Sequence, residues 1–227
     1  MTPDYEYNEK CHIRFFNCDN MDFMKEVDDK KYAISLVDPP YGIGEDGSKN
    51  HTRGKLAKSK NYKPYSGNDK EPPTIEYFNE LFRISKNQII WGANHFVERI
   101  NKNSSCWLVW YKDNGDSDFA DCELAYTSFN SAVRYFKWRW AGMLQQDMKN
   151  KEERCHPNQK PIALYRWILQ NYAKKGDKIL DTHGGSMTLA RACYEEGFDL
   201  DIMELDKEYF DTAVQKFKER VSQYNLF

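Results

Sequence analysis

The feature that most constrains the fold of this chain is the alternation of short apolar runs with segments whose apolar residues recur at helical spacing. The clearest unit lies near the C-terminus. There, Lys178–Asp181 and Leu200–Glu204 are predicted strands, and Leu189–Glu196 is a predicted helix that ends at Gly197. A strand, a helix and a strand in this order form a parallel pair. The pattern therefore predicts an α/β fold, with helices on both faces of a mostly parallel sheet.

The rest of the chain continues this pattern. Five further strands are predicted: His12–Phe16, Tyr32–Val37, Gln88–Trp91, Cys106–Trp110 and Ala132–Trp138. Helical spacing predicts helices over Met21–Val27, after Thr74, from Pro161 and over Phe210–Val221. Residues 45–70 are polar and show little periodicity, which predicts a mobile surface loop within a single domain that spans residues 1–227.

Composition limits the function classes. A chain of 227 residues with 40% hydrophobic content can bury one sizeable core. No apolar run approaches the ~20 residues that cross a bilayer, and the N-terminus carries no secretory pattern, so we expect a cytoplasmic protein. The six cysteines are dispersed and share no metal-ligand spacing with histidines, which favours reduced thiols and no metal site. A net charge of -2 gives no global attraction to nucleic acid, so any such surface must be local.

The string Asp38-Pro39-Pro40-Tyr41 directly follows a predicted buried strand. A strand that stops at a proline turn would account for the prolines alone. The exocyclic amine of a nucleobase requires the whole set, because its lone pair is delocalised into the ring. The Asp38 carboxylate and the Pro39 carbonyl can accept its two N–H bonds and favour a pyramidal nitrogen, while Tyr41 can stack on a flipped base. Asp38, Pro39, Pro40 and Tyr41 are therefore the predicted catalytic residues.

A second motif runs from Asp181 to Thr188 and contains Gly184 and Gly185. Glycines in an ordinary strand–turn–helix connection relieve crowding, but they also let a ligand approach the backbone beside a helix N-terminus. Glu204 ends the next predicted strand, where an acid can accept both ribose hydroxyls of an adenosyl group. The combination favours a nucleotide-type cofactor site.

A third motif, His156-Pro157-Asn158-Gln159-Lys160-Pro161, precedes a predicted helix. It is a polar turn with a proline start signal, and Lys160 with nearby amides can also hold a carboxylate there. In this order, the three motifs and Glu204 resemble the amino-methyltransferases of DNA. They match the β group, in which the catalytic motif precedes the cofactor motif. The segment Trp91–Phe96 is also similar to that family, so the resemblance covers most of the chain.

The resemblance implies a Rossmann-like, class I S-adenosylmethionine-dependent methyltransferase fold with a circularly permuted, seven-stranded sheet. The strand ending at Cys18–Asp19 would lie beside the one ending at Glu204. Asp19 becomes a candidate ligand for the adenine amino group of the cofactor; a helix cap is the alternative, and the two roles are compatible. The predicted cofactor-binding residues are Asp19, Asp38, Asn158, Lys160, Asp181, His183, Gly184, Gly185, Ser186 and Glu204.

The chain departs from the family pattern at three positions. His183 stands where the family usually has another aromatic residue, Met187 where the turn usually ends in glycine, and Asn158 where threonine is common. The first two departures weaken the transfer of residue roles at the cofactor turn.

The segment between Ser48 and Ser66 is basic and contains no acid. A solvated loop is the usual explanation of such a run. Because this one closely follows the catalytic motif, we predict that six of its cations track DNA phosphates: Lys49, Arg53, Lys55, Lys58, Lys60 and Lys63. A second candidate surface is Arg134, Lys137 and Arg139, with the interleaved Tyr135, Trp138 and Trp140 facing the core.

The predicted function is site-specific methylation of DNA. A methyl group passes from S-adenosylmethionine to N6 of a flipped adenine and leaves S-adenosylhomocysteine. Cytosine N4 is the alternative target; an aspartate at the head of the motif favours adenine within the resembling family. The alternative that is not an enzyme is an inactive module of methyltransferase fold that binds DNA. The sequence leaves open homodimerisation, the recognition site, and whether the enzyme serves restriction–modification, a phage or a regulatory circuit.

Overall fold

The protein is an α/β structure built on one large sheet. The computed structural model describes residues 1–44, 69, 71–115, 120–141, 144–152 and 159–224. The strands of the large sheet are β1 (Tyr5–Asn8), β2 (His12–Phe16), β3 (Tyr32–Val37), β4 (Ser85–Trp91), β5 (Trp107–Tyr111), β6 (Cys122–Thr127), β7 (Arg134–Lys137), β10 (Lys178–Asp181) and β11 (Asp199–Met203). Two short strands, β8 (Trp140–Ala141) and β9 (Leu144–Gln145), form a separate antiparallel pair.

The helices lie between the strands in the chain. They are α1 (Asn20–Lys25), α2 (Ile75–Ile84), α3 (Val97–Ile100), α4 (Ile162–Tyr172), α5 (Thr188–Glu196) and α6 (Lys207–Tyr224), and a short 3₁₀ turn covers Ala93–His95. Side chains of α4, α5 and α6 pack into one hydrophobic core, and those of α1, α2 and α3 pack into a second. Alternate residues of the strands supply both cores, so the prediction of helices on both faces is confirmed.

The sheet order is β1-β2-β11-β10-β3-β4-β6-β5-β7. The five strands from β2 to β4 are parallel neighbours, as predicted, and β7 is parallel to β5. β3 and β10 lie side by side although most of the chain separates them, as the predicted circular permutation requires. The prediction of seven strands was wrong, since the sheet described has nine. The two strands of this sheet that were not predicted, β1 and β6, are antiparallel to their neighbours; β1 has only four residues, and β6 mixes apolar, polar and charged residues.

Local sequence signals set several helix ends. The Thr74 hydroxyl accepts the Tyr77 N–H (3.3 Å) and starts α2, while Gly197, at φ +78°, ends α5. Pro161 has extended backbone and lies just before α4, rather than being its first residue as predicted. The helix that Asp19 precedes is α1.

The parallel strands bring the predicted motifs to one edge. Each of five neighbouring strands ends at, or a few residues before, one residue of these motifs. In sheet order these residues are Asp19, Glu204, Asp181, Asp38 and Gly92. The backbone N–H of Glu204 also bonds to the Phe16 carbonyl (3.1 Å), which confirms that the first predicted strand lies beside the last. Ligand sites of open α/β sheets lie at this edge.

The direction of the aromatic residues around β7 is only partly as predicted. Trp140 is buried and Trp138 half-buried, but Tyr135 is 68% exposed. Phe136 is the inward residue of this edge strand and stacks on Trp138, with ring centroids 5.8 Å apart. Because successive side chains of a strand point to opposite faces, Tyr135 and Lys137 point outward.

No helix among the described residues has the length and apolar character needed to cross a bilayer. In the same part of the chain, five cysteines are free thiols: Cys11, Cys18, Cys106, Cys122 and Cys193.

Candidate active site

The catalytic turn, residues 38–41, begins where β3 ends. The Tyr41 hydroxyl donates to Oδ1 of Asp38 (2.7 Å), and the Lys160 ammonium donates to Oδ2. Lys160 also donates to the Tyr41 hydroxyl oxygen (3.2 Å). Both Asp38 oxygens are thus held, yet a carboxylate offers about four lone-pair sites and retains acceptors for a further donor. Pro39 is buried and Pro40 half-buried in the same turn.

Lys160 is the cation at the centre of this turn, and it is only 4% exposed. Its ammonium lies 3.2 Å from Oε2 of Glu123, whose other oxygen pairs with Lys112. Burial alone would lower the pKa of Lys160, but the carboxylates of Asp38 and Glu123 outweigh it and raise that pKa. Burial likewise would raise the pKa of Glu123, but the charges of Lys160 and Lys112 lower it to about 2. The cluster is therefore a row of groups of alternating charge, in which attraction to the neighbours outweighs burial at both Lys160 and Glu123.

The ring of Tyr41 sits against the segment after β4. Gly92 has φ +67°, and a Cβ there would lie 2.0 Å from Cε1 of Tyr41, so no other residue fits without moving the ring. The exposed imidazole of His95 stacks on Tyr41, with ring centroids 5.1 Å apart and planes 16° apart. Burial, then the Asp38 charge, raises the pKa of Tyr41 well above its ordinary value, so Tyr41 remains a phenol and a donor.

Asp69 anchors the backbone of the catalytic turn from the far side of the basic segment. Its carboxylate Oδ1 accepts the N–H groups of Tyr41 (2.6 Å) and Gly42 (2.9 Å). The Gly44 N–H donates to the Asp69 carbonyl (2.8 Å). No local pattern predicts this contact, because an aspartate at the end of a polar stretch is common.

The cofactor-type turn follows β10 and is tied to the end of β11. Glu204 accepts the Gly185 N–H (2.8 Å) on one oxygen and the Asp206 N–H (2.9 Å) on the other. A Cβ on Gly184 would lie 2.9 Å from the Met203 carbonyl oxygen, so this glycine permits the turn to pack on β11. Burial raises the pKa of Glu204 despite its backbone hydrogen bonds. Nearby, the Ser186 and Thr188 hydroxyls are 2.8 Å apart.

Asp181 and His183 open this turn. Oδ1 of Asp181 accepts the His183 N–H (3.0 Å), and burial, with the neighbouring charges of Asp38 and Glu204, raises the Asp181 pKa to about 8. Burial lowers the His183 pKa to about 4, so its imidazole is neutral at pH 7. Its Nε2 lies 3.1 Å from the Asn20 amide nitrogen, which can only donate, so Nδ1 carries the proton. His183 thereby links the turn to the start of α1.

The structure brings most of the predicted site residues to one edge of the sheet. Asp19 caps α1 by accepting the N–H groups of Met21 (2.8 Å) and Asp22 (3.2 Å), which confirms the predicted helix cap. Its role in binding the cofactor's adenine stays a prediction. Asn158 and the six basic residues Lys49, Arg53, Lys55, Lys58, Lys60 and Lys63 lie outside the described residues.

Comparisons with known proteins show what this chain is similar to in fold and in sequence. The crystal structure of the M1.HpyAVI–SAM complex superposes with a TM-score of 0.57 at 18% identity, covering 90% of this chain and 99% of that one. The type II methyltransferase M2.MboI of Moraxella bovis is 22% identical over 265 residues, covering 98% of this chain and 96% of the relative. M.HpaI of Haemophilus parainfluenzae, another type II methyltransferase, is 25% identical over 249 residues, covering 90% and 73%.

The fold is thus the Rossmann-like α/β fold of the S-adenosylmethionine-dependent methyltransferases. Residues 85–215 match the family model described as DNA methylase, which groups N6 and N4 amino-methyltransferases. The chain belongs to this DNA methylase family. The catalytic turn precedes the matched segment, so its assignment depends on the geometry at the end of β3.

Proposed function

We propose that this DNA methyltransferase uses S-adenosylmethionine to methylate N6 of adenine in DNA. The observation that carries the proposal is the placement of Asp38. Its carboxylate lies at the end of β3, held by Tyr41 and Lys160, beside the cofactor-type turn that ends the neighbouring strand β10.

The donors and acceptors at the ends of β10 and β11 suit S-adenosylmethionine. Glu204 accepts backbone N–H groups on both oxygens, and a carboxylate offers about four lone-pair sites, so acceptor capacity remains for a ribose hydroxyl. Asp19 is the proposed acceptor of the adenine amine, and its exposure at the start of α1 supports this role. Asp181, His183, Gly184, Gly185 and Ser186 complete the turn on this side. When bound, the cofactor supplies an electrophilic methyl group on a sulfonium.

Lys160 fits a different role from the one its motif first indicated. A cofactor carboxylate would have to compete for an ammonium that already contacts Asp38, Glu123 and Tyr41 and is almost fully buried. We therefore assign Lys160 to the catalytic turn, as the counter-charge of Asp38, and no longer to the cofactor.

The catalytic residues act on the amine of the target base. Asp38 and the Pro39 carbonyl accept its N–H bonds, which localises the nitrogen lone pair for the incoming methyl group. As the N–C bond forms, the nitrogen gives up one proton, and Asp38 is the adjacent carboxylate that can accept it. Tyr41 offers an aromatic ring for the base; in the free protein His95 stacks on that ring, so the base must displace His95 or use the opposite face.

The same chemistry serves adenine N6 and cytosine N4, since both are exocyclic amines. An aspartate at the head of the catalytic motif favours adenine. The basic segment between Ser48 and Ser66 is the proposed phosphate-tracking surface, because it joins the catalytic turn to Asp69.

The test is to express the chain and its Asp38→Ala variant in a methylation-deficient bacterial host and to map modified bases by single-molecule sequencing. We expect N6-methyladenine at a defined sequence with the wild type and none with the variant. N4-methylcytosine would retain the mechanism and overturn the choice of base. Absence of any modified base, with the protein folded and the cofactor bound in calorimetry, would overturn the proposal.

A further inference from the structure

The Glu123 carboxylate lies beside the catalytic turn but has no part in the mechanism above. It stands on β6, in register with Trp110 of β5, and Lys112 follows that strand. Its Oε2 is 3.2 Å from the Lys160 ammonium, and its Oε1 contacts Lys112. Four charges therefore alternate in sign from Asp38 through Lys160 and Glu123 to Lys112.

A buried ammonium depends on its acceptors. The side chain of Lys160 is 3% exposed, so water cannot replace a lost partner without opening the site. An ammonium has three N–H donors, and the contacts supply three acceptors: Asp38, Tyr41 and Glu123. Fixing one N–H on Glu123 therefore directs the other two toward the catalytic turn.

We propose that Glu123 is a positioning residue for methyl transfer: it orients the Lys160 ammonium, which in turn fixes the Asp38 carboxylate for the substrate amine. This inference rests on the proposed function of Asp38. Without Glu123, Lys160 keeps a single carboxylate partner and can rotate with it, which displaces Asp38 from the amine. Lys112 neutralises Glu123 from the opposite side and keeps it from attracting a proton.

The alternative role for Glu123 is an ion pair that only stabilises the fold. Glu80 offers a matched control, because it is a partly buried glutamate that pairs with Arg83 (2.8 Å) on α2, away from the catalytic turn. The exposed fractions of the two glutamate side chains are similar, 22% for Glu123 and 25% for Glu80. Glu123→Gln and Glu80→Gln remove the same charge and keep nearly the same shape.

The measurement is steady-state methylation of a DNA substrate that carries the mapped site, with thermal unfolding of each variant. We expect Glu123→Gln to lower kcat about 10- to 100-fold while KM for DNA and for S-adenosylmethionine change less than about twofold. Glu80→Gln should retain wild-type kcat, and Glu123→Asp, which restores the charge one methylene shorter, should recover part of the loss. An unchanged kcat in Glu123→Gln, or a loss that matches only its unfolded fraction, overturns the inference.

A spectroscopic readout separates this inference from the proposed function. The buried ammonium of Lys160 should give a protected signal in the NMR spectrum of protein labelled with ¹⁵N-lysine, assigned by its loss in Lys160→Met. We expect the signal to shift or broaden in Glu123→Gln and to stay in place in Glu80→Gln. If wild-type protein methylates no DNA, the proposed function fails, and this signal alone decides whether Glu123 orients Lys160. A signal that is unchanged in Glu123→Gln overturns the positioning role whatever the activity.

Discussion

The catalytic turn and the cofactor-type turn are both acidic, but they differ in what compensates their carboxylates. At the catalytic turn, Asp38 and Glu123 share the buried ammonium of Lys160. At the ends of β10 and β11, the contacts of Asp181 and Glu204 are backbone N–H groups. The pKa values diverge accordingly: that of Glu123 falls to about 2, whereas that of Asp181 rises to about 8 and that of Glu204 is also raised.

This difference in partners suits two different roles, catalysis at one turn and cofactor binding at the other. A carboxylate held by a buried cation is fixed in position before any substrate arrives, which suits an acceptor that must hold a reacting amine. Carboxylates that have only dipoles for partners gain from a ligand that donates hydrogen bonds or carries positive charge. Hydroxyl groups and a sulfonium are such donors and charges, so the contrast itself supports the division between catalysis and cofactor binding.

The largest effect should come from breaking the catalytic turn. Asp38→Asn keeps the shape but removes the charge that faces Lys160, and we expect kcat to fall on the order of 10³-fold. The affinity for S-adenosylmethionine, measured by calorimetry, should stay within about threefold of the wild type, because this change leaves Glu204 and its turn intact. Retained turnover, or a loss of cofactor affinity as large as the loss of kcat, would show that the two regions are not separate.

The reciprocal change lies at Glu204. Glu204→Gln replaces one carboxylate oxygen by an amide nitrogen, which cannot accept a hydrogen bond, so we expect the Kd for S-adenosylmethionine to rise about 10- to 100-fold. At saturating cofactor, kcat should remain near the wild-type value, since the Asp38 contacts are unchanged. Calorimetry and saturation kinetics give the two quantities. A drop in kcat that excess cofactor does not restore contradicts the division.

A smaller effect concerns stability rather than activity. The Asp181 pKa of about 8 lies above its ordinary value of 3.8, so the folded state holds a proton that the unfolded state releases between these values. The stability that this group contributes is full below about pH 4 and is lost as the pH rises toward 8, by roughly 1.4 kcal/mol per pH unit at most. Asp181→Asn removes this loss and should raise Tm more at pH 7.5 than at pH 5.

Thermal unfolding of wild type and Asp181→Asn at both pH values is the measurement. Comparing the two proteins at each pH cancels the contributions of other groups, such as His183. An advantage of the variant that is equal at the two pH values would mean that Asp181 is already ionised and that the cofactor-type turn is compensated like the catalytic one.

Local signals carried much of the fold. The apolar runs of β3, β10 and β11 and the glycine that ends α5 sit where the sequence placed them. Their arrangement in parallel followed from the alternation of strands and helices. Antiparallel β1 and β6 were not predicted, because Tyr5–Asn8 has only four residues and Cys122–Thr127 mixes apolar, polar and charged residues.

The missed site residues share a physical cause. Glu123 reaches Lys160 only because β6 inserts between β4 and β5, and Asp69 reaches Tyr41 across a segment of more than twenty residues. Such contacts depend on long-range pairing and leave no local pattern. His95 is different: it lies in the segment Trp91–Phe96 that resembles the family, but its stacking on Tyr41 depends on the backbone conformation at Gly92, where φ is +67°.

The contacts of Asp69 tie the far end of the basic segment to the catalytic turn. Its side chain and carbonyl bind the N–H groups of Tyr41, Gly42 and Gly44, so the two ends of the intervening stretch are joined at the catalytic turn itself. Because the cost of closing a loop grows only slowly with its length, the stretch can be exchanged, lengthened or shortened while the turn keeps its geometry. The contacts of Asp69 thus let the chain between Gly44 and Asp69 vary in length without moving the catalytic turn.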